Sequence, residues 1–220
     1  MSQRGHLLDD AWYMDYAAGT LRSEGEEVLL SSHLEMNSHA DGRVRELERV
    51  GAAVMMMSAK DSDLPFSADM VLDRIADLEE APTSEHAPMI PSEPFVPAAL
   101  DQFLLQKNKD IHWEFLGPGL RKAMLWTGED GEKLWLLKAQ PGVAIPHHGH
   151  NGSELTLVLK GAFHDGDQCY QAGDVEEAGP ETEHDIRIDE GGECICLALT
   201  RGKLRYDNPL LKAMQVFTGL

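Results

Sequence analysis

A chain of 220 residues, 42% of them hydrophobic, is long enough for one large domain or two small ones. Its formal net charge of −19 repels a phosphate backbone and argues against direct nucleic-acid binding, while suiting a basic protein surface. No apolar run can span a bilayer, the start "MSQRGHLLDDAWY" lacks a leader's apolar stretch, and three cysteines are too few for a disulfide framework. These features predict a cytoplasmic protein without membrane contact.

Residues 1–80 read as helical. Acidic residues open "DDAWYMDYAAG" and Gly19 closes it, as a short helix requires. Ser23 to Glu26 is a capping-box pattern ahead of a second helix, "EEVLLSSHLEM". In "VRELERVGAAVMMM", Val44, Leu47, Val50, Val54 and Met57 fall three and four apart, one apolar stripe of a third helix. A fourth, "SADMVLDRIADLEE", opens at Ser67 and repeats the pattern with Met70, Val71, Ile75 and Leu78. Trp12, Tyr13 and Tyr16 are expected in the seam of this small four-helix domain. Met55, Met56 and Met57 are expected mainly as core filling, although methionines also suit an adaptable partner surface.

The stretch 81–98 carries five prolines in "APTSEHAPMIPSEPFVP" and no periodicity, so it reads as an extended linker. Beyond it, over 99–206, short runs such as "RKAMLWTG", "EKLWLLKA", "SELTLVLKG", "DVEEAG", "HDIRID" and "ECICLAL" alternate with turn signals. That spacing predicts an antiparallel sandwich or barrel, followed by a tail at 207–220. The whole is an α+β multidomain chain.

The stretch "IPHHGHNGSEL", 145–155, carries the chemistry. His148 and His150 are two apart on an expected strand and share a face, whereas His147 points the other way. Along a straight strand Glu154 would lie about 20 Å from His148, so the chain must turn, and Asn151-Gly152 is a turn signal. A two-residue loop would send Glu154 to the opposite face; a three-residue loop, 151–153, pairs His150 with Glu154 and brings the three side chains together. Some thirty residues on, His184 offers a fourth donor. Imidazoles with one carboxylate suit divalent zinc, iron, manganese, nickel or copper, and of these zinc is taken first, with iron, manganese or nickel as alternatives.

Residues 142–161, "GVAIPHHGHNGSELTLVLKG", followed by "GDVEEAGPETEH" at 173–184, resemble the two cupin motifs in order. The resemblance implies a C-terminal cupin antiparallel β-barrel with His148, His150, Glu154 and His184 as ligands of one metal. "DYAAGTL" at 15–21 and "HLEMNSHADGRVRELERVGA" at 33–52 resemble the helical anti-sigma domain of the ChrR family, in which such a domain precedes a cupin. Membership would imply a partner, an extracytoplasmic-function sigma factor, and release of that partner under oxidative stress. The chain departs from the family where its helical domain usually binds zinc, through an upstream His and a His-x3-Cys-x2-Cys run. His33 is present and His6 lies near the upstream position, but Asn37 and Ala40 occupy the cysteine places, and His39 is not at a ligand position. Neutral Asn and Ala cannot replace thiolates, so no zinc is expected in this domain.

The remaining candidates have plain readings. Cys194 and Cys196 share a strand face and could respond to oxidant, but two buried small residues are the simpler expectation. Glu183 and Asp185 flank His184 and should point away from a metal; His86 and His112 carry no role. The rival to a regulator is a metal-dependent cupin enzyme of the dioxygenase or isomerase type, and a homodimer is compatible with either.

Overall fold

The computed structural model describes residues 6–58, 67–76, 93–128, 131–202 and 204–205. Local chemistry sets the helix ends. α1 (Asp10–Ala18) begins where the Asp9 side chain accepts the Ala11 N–H, and ends at Gly19, whose φ of +66° makes a left-handed cap. α2 (Glu24–Met36) is capped by Ser23, whose hydroxyl accepts the Glu26 N–H at 3.1 Å. The returning bond reaches one residue further than in a capping box, for the Glu26 carboxylate accepts the Arg22 N–H at 2.6 Å. Asn37 closes α2 and opens α3 (Ser38–Ser58), its side-chain oxygen accepting from the N–H groups of His39 and Ala40. α4 (Ala68–Ala76) starts at Ser67, whose hydroxyl accepts the Met70 N–H.

A fifth helix, α5 (Ala98–Gln106), lies where the sequence reading placed the end of a linker and the start of the strands. Its N-terminus has no side-chain cap of its own, because Pro97 stands at the N-cap. Glu35 of α2 caps it from outside, accepting the Ala98 and Ala99 N–H groups at 2.7 and 2.8 Å. That arrangement satisfies two orphan donors and sets a carboxylate at the positive end of the helix.

The strands are β1 (Glu114–Gly117), β2 (Leu120–Thr127), β3 (Lys133–Ala139), β4 (Ala144–His150), β5 (Glu154–Lys160), β6 (Ala162–Asp165), β7 (Gln168–Gln171), β8 (Val175–Ala178), β9 (Glu183–Ile188), β10 (Cys194–Thr200) and β11 (Leu204–Arg205). They form two antiparallel sheets, of order β1-β2-β3-β10-β5-β8 and β11-β4-β9-β6-β7. The helix-then-antiparallel-sheet architecture agrees with the expected fold class.

β5 and β10 are buried along almost their whole length, so the larger sheet is covered on both faces. Leu155, Leu157, Leu159, Ile195, Leu197 and Leu199 pack in one core with Tyr13, Leu29 and Leu30 of the helices and with Leu100, Phe103 and Leu104 of α5. The alternate residues Val158, Cys194 and Cys196 face the other way, against Phe163, Ile186 and Ile188 of the smaller sheet. Tyr13 is fully buried and Trp12 and Tyr16 pack against the same core, which the helices share with the larger sheet instead of forming a seam among themselves.

The chain divides into two compact units, Met1–Glu48 with Pro91–Leu220, and Arg49–Ile90. Among the described residues of the second unit, the large apolar side chains are exposed. Val50, Val54, Met70, Val71 and Leu72 all face solvent, and Met55, Met56 and Met57 are 73%, 81% and 89% exposed. The expectation that the three methionines fill a core is therefore wrong. Of the α3 stripe only Val44 and Leu47 belong to the core. His86 and the tail 207–220 fall outside the described residues.

Candidate metal centre

β4 and β9 run side by side in the smaller sheet, with His148 directly opposite His184. Residues opposite one another in an antiparallel pair share a face, and His150, two further along β4, joins them. The three imidazoles are buried. His184 Nε2 lies 3.1 Å from His148 Nε2 and 3.2 Å from His150 Nε2. The neighbouring odd positions point outward as alternation predicts. His147 is exposed within ion-pair range of Glu183 and Asp185, and Glu183 is bound by Arg205 at 2.6 Å.

Glu154 comes to the site by a different route from the one the hairpin argument supposed. The loop does have three residues, 151–153, but β4 and β5 belong to different sheets, so His150 and Glu154 are not cross-strand partners. The loop is an arch between the sheets. Gly152 makes it possible, since a Cβ there would sit 2.1 Å from the Arg201 carbonyl oxygen. Glu154 is buried and accepts a hydrogen bond from the Thr156 hydroxyl at 3.1 Å. It is not among the group of ligand atoms that converge within 4.8 Å, which comprises His148, His150 and His184.

The electrostatics suit cation binding. Burial, followed by the field of the neighbouring imidazoles, pushes His148 and His150 down to about 4, so both are neutral near pH 7. Burial also lowers His184, but the carboxylates of Glu176, Asp165 and Glu154 outweigh it and hold that ring above its ordinary value. Burial pushes Glu154 up to about 7 against the opposing pull of Thr156 and His184.

The three rings crowd their Nε2 atoms together. His148 Nδ1 donates to the Pro146 carbonyl at 2.9 Å, so its Nε2 carries a lone pair. His184 Nε2 faces two other Nε2 atoms, and one N–H can serve only one of those contacts. With its proton on Nδ1 instead, His184 Nε2 would set a lone pair against that of His148, a repulsion that a cation between them removes. A tetrahedral ion with Zn–N bonds of about 2.0–2.1 Å separates its nitrogens by about 3.3 Å, close to the spacing seen. The residues present fit a metal ion.

Two residues at the site were not anticipated. Asp165 and Glu176 converge with His184 in a second group of potential ligands. "DVEEAG" reads only as a strand, and nothing in its spacing distinguishes Glu176, buried, from Glu177, exposed. Cys194 and Cys196 lie beyond, buried, with Sγ atoms 3.6 Å apart. Their mutual hydrogen bond and burial hold the Cys196 thiol well above its usual value, which suits packing rather than thiolate chemistry.

The helical histidines do other work. A carbonyl can only accept, so His33 Nδ1 donates to the Gly173 oxygen at 2.8 Å, and its Nε2 accepts from the Tyr13 hydroxyl at 2.9 Å. Burial lowers the His33 pKa, in keeping with a neutral ring. Asn37 Nδ2 also donates to Gly173 O, and Ala40 is fully buried. The His6 ring packs on Tyr170 with centroids 4.3 Å apart.

Comparison with known proteins agrees with this architecture. Residues 101–202 match the family described as ChrR cupin-like domain. The anti-sigma-E factor ChrR of Cereibacter sphaeroides is 38% identical over 213 residues, 96% of this chain and 97% of that protein. Among solved structures, that of Rhodobacter sphaeroides SigE in complex with the anti-sigma ChrR matches at a TM-score of 0.69 and 35% identity, covering 89% of this chain and 98% of that one. An RmlC-like cupin protein from Ralstonia eutropha matches at a TM-score of 0.42 and 25% identity, over 46% of this chain and 69% of that one.

Proposed function

The chain belongs to the ChrR family of anti-sigma factors, and on that premise we propose that it sequesters an extracytoplasmic-function sigma factor through residues 1–80, with the cupin as a metal-holding sensor of oxidative stress. The observation that carries this reading is the likeness to ChrR along nearly the full length of both chains, helices and cupin together. The exposed apolar side chains within residues 50–57 and 70–72 support it. Contiguous exposed apolar surface is a mark of protein interaction, and methionines adapt readily to a partner. The net charge of −19 suits the basic surface of a DNA-binding partner. Among the described residues no helix is long and apolar enough to cross a membrane, and a cytoplasmic site of action follows from the proposed partner.

We propose His148, His150, Glu154 and His184 as the ligands of one divalent ion, zinc in preference to iron, manganese or nickel, and no zinc among residues 1–80. When bound, the ion would supply the positive charge that three converging imidazole nitrogens and a buried carboxylate lack. The chain's own residues offer two routes from that centre to the helices. The Arg201 N–H donates to Ser153 O beside Glu154, while its guanidinium pairs with Glu26 of α2 and Glu132, each at 2.6 Å. Gly173, bound by His33, precedes Glu176 by three residues. Binding of an oxidant or another ligand at the centre would act through these links, shifting a two-state equilibrium toward release of the partner.

The test is co-purification of the tagged full chain from its own cells, before and after oxidant. A stoichiometric sigma factor, lost after oxidant in the native protein but not in His184→Ala, is the expected result. No sigma factor in unstressed cells, or oxidant release unaffected by His184→Ala, would overturn the reading.

A further inference from the structure

The outward nitrogen of His184 poses a separate question. His148 has its Nδ1 held by the Pro146 carbonyl, which commits its Nε2 to the centre. His184 has no such backbone partner. Its side chain is 1% exposed, and its Nδ1 makes no hydrogen bond of ordinary geometry among the described residues. The groups it faces are carboxylates: Glu176 Oε1 at 3.5 Å and Asp165 Oδ2 at 3.6 Å. Glu176 is buried on β8 of the larger sheet, while Asp165 ends β6 of the smaller one and is partly exposed. Each sheet thus delivers one carboxylate to the same nitrogen. Oxygen atoms of the two carboxyls also lie within 4.8 Å of each other.

A buried imidazole that gives one nitrogen to a metal needs an acceptor for the proton on the other, or its tautomer is undetermined. The geometry points to Glu176 as the positioning residue of the metal centre, with Asp165 as its brace: Glu176 takes the Nδ1–H of His184 and so commits the Nε2 lone pair to the ion. This rests on the metal-binding reading above. A second cation held by Asp165, Glu176 and Nδ1 would instead require that nitrogen to lose its proton while Nε2 serves the first ion. One imidazolate bridging two ions demands more of the site than a proton accepted by a carboxylate.

The test uses the full chain, with zinc affinity measured by chelator competition and the His184 tautomer read from long-range ¹H–¹⁵N NMR in the metal-free form. Native protein should bind zinc and show His184 as the Nδ1–H tautomer. Glu176→Ala should weaken zinc by about 10–100-fold, the range for loss of an outer partner, and mix the His184 tautomers while leaving that of His148 unchanged. Glu176→Gln retains the shape and an accepting oxygen, so it should weaken zinc less and guards against a misfolded alanine variant. Native affinity and an unchanged His184 tautomer in both variants would overturn the inference alone. A native chain that takes up no zinc, iron, manganese or nickel would overturn it together with the metal-binding reading.

Discussion

His33 and His184 are both buried histidines on regular elements, yet they are buried on different terms. At His33 both ring nitrogens are satisfied by the protein, one by Gly173 and one by Tyr13. At His184 the inward nitrogen faces two others of its kind and the outward one looks at carboxylates. The first is a structural joint between helix and sheet. The second gathers three imidazole nitrogens at one point and suits a cation. Burial and residue type do not separate the two sites; an accounting of each nitrogen does.

Removing the metal should separate them most strongly. At a free ion concentration 1,000 times its Kd, a bound ion stabilises a fold by about 4 kcal/mol, or roughly 10 °C in Tm. Chelation of the native chain should therefore lower Tm by about that amount. His148→Ala should already show the lower Tm and no longer respond to chelator, as scanning calorimetry would reveal; an undiminished response would place the ion elsewhere.

Next in size is His33→Ala, which leaves the Gly173 carbonyl and the Tyr13 hydroxyl short of a partner in the core. It should cost about 2–4 kcal/mol in urea unfolding with metal content unchanged. Loss of bound metal in that variant would erase the distinction between the sites.

Acid provides the third test. With Glu154 at about 7, the metal-free site holds a proton there below that pH and must release it to bind. His148 and His150, at about 4, are already neutral and release none near pH 6. Affinity should thus fall about tenfold for each pH unit below 7 through Glu154, and more steeply where the raised His184 also gives up a proton. A titration flat from pH 7.5 to 5.5 would contradict this. The smallest effect belongs to the exposed unit: Met56→Ser should change stability by less than about 0.5 kcal/mol yet weaken sigma binding in a pull-down. An unaltered pull-down with several of these methionines replaced would count against that surface.

Much of this was legible in the sequence. His148, His150 and His184 announce themselves by alternation and by a turn signal, because a strand's two-residue period is strict. Helix ends at Asp9, Ser23 and Gly19 were readable for the same local reason. Tertiary facts were not. α5 carries Leu100, Phe103 and Leu104 at helical spacing, but its cap comes from Glu35, sixty-odd residues away, and the prolines before it suggested only a linker. The arch at 151–153 has the length of a hairpin loop, and only strand pairing shows that it changes sheets. Met55 to Met57 have core-like chemistry and face solvent, which periodicity alone does not reveal. Asn37 was legible as a loss of metal-binding capacity, but not as the cap of α3 and a second donor to Gly173.

The most direct test of the contrast is the metal-to-protein ratio of the purified full chain by inductively coupled plasma mass spectrometry, measured beside His33→Ala and His184→Ala. The account predicts one divalent ion per native chain, one in His33→Ala and none in His184→Ala. Two ions per native chain, or an ion lost with His33 and kept without His184, would contradict it.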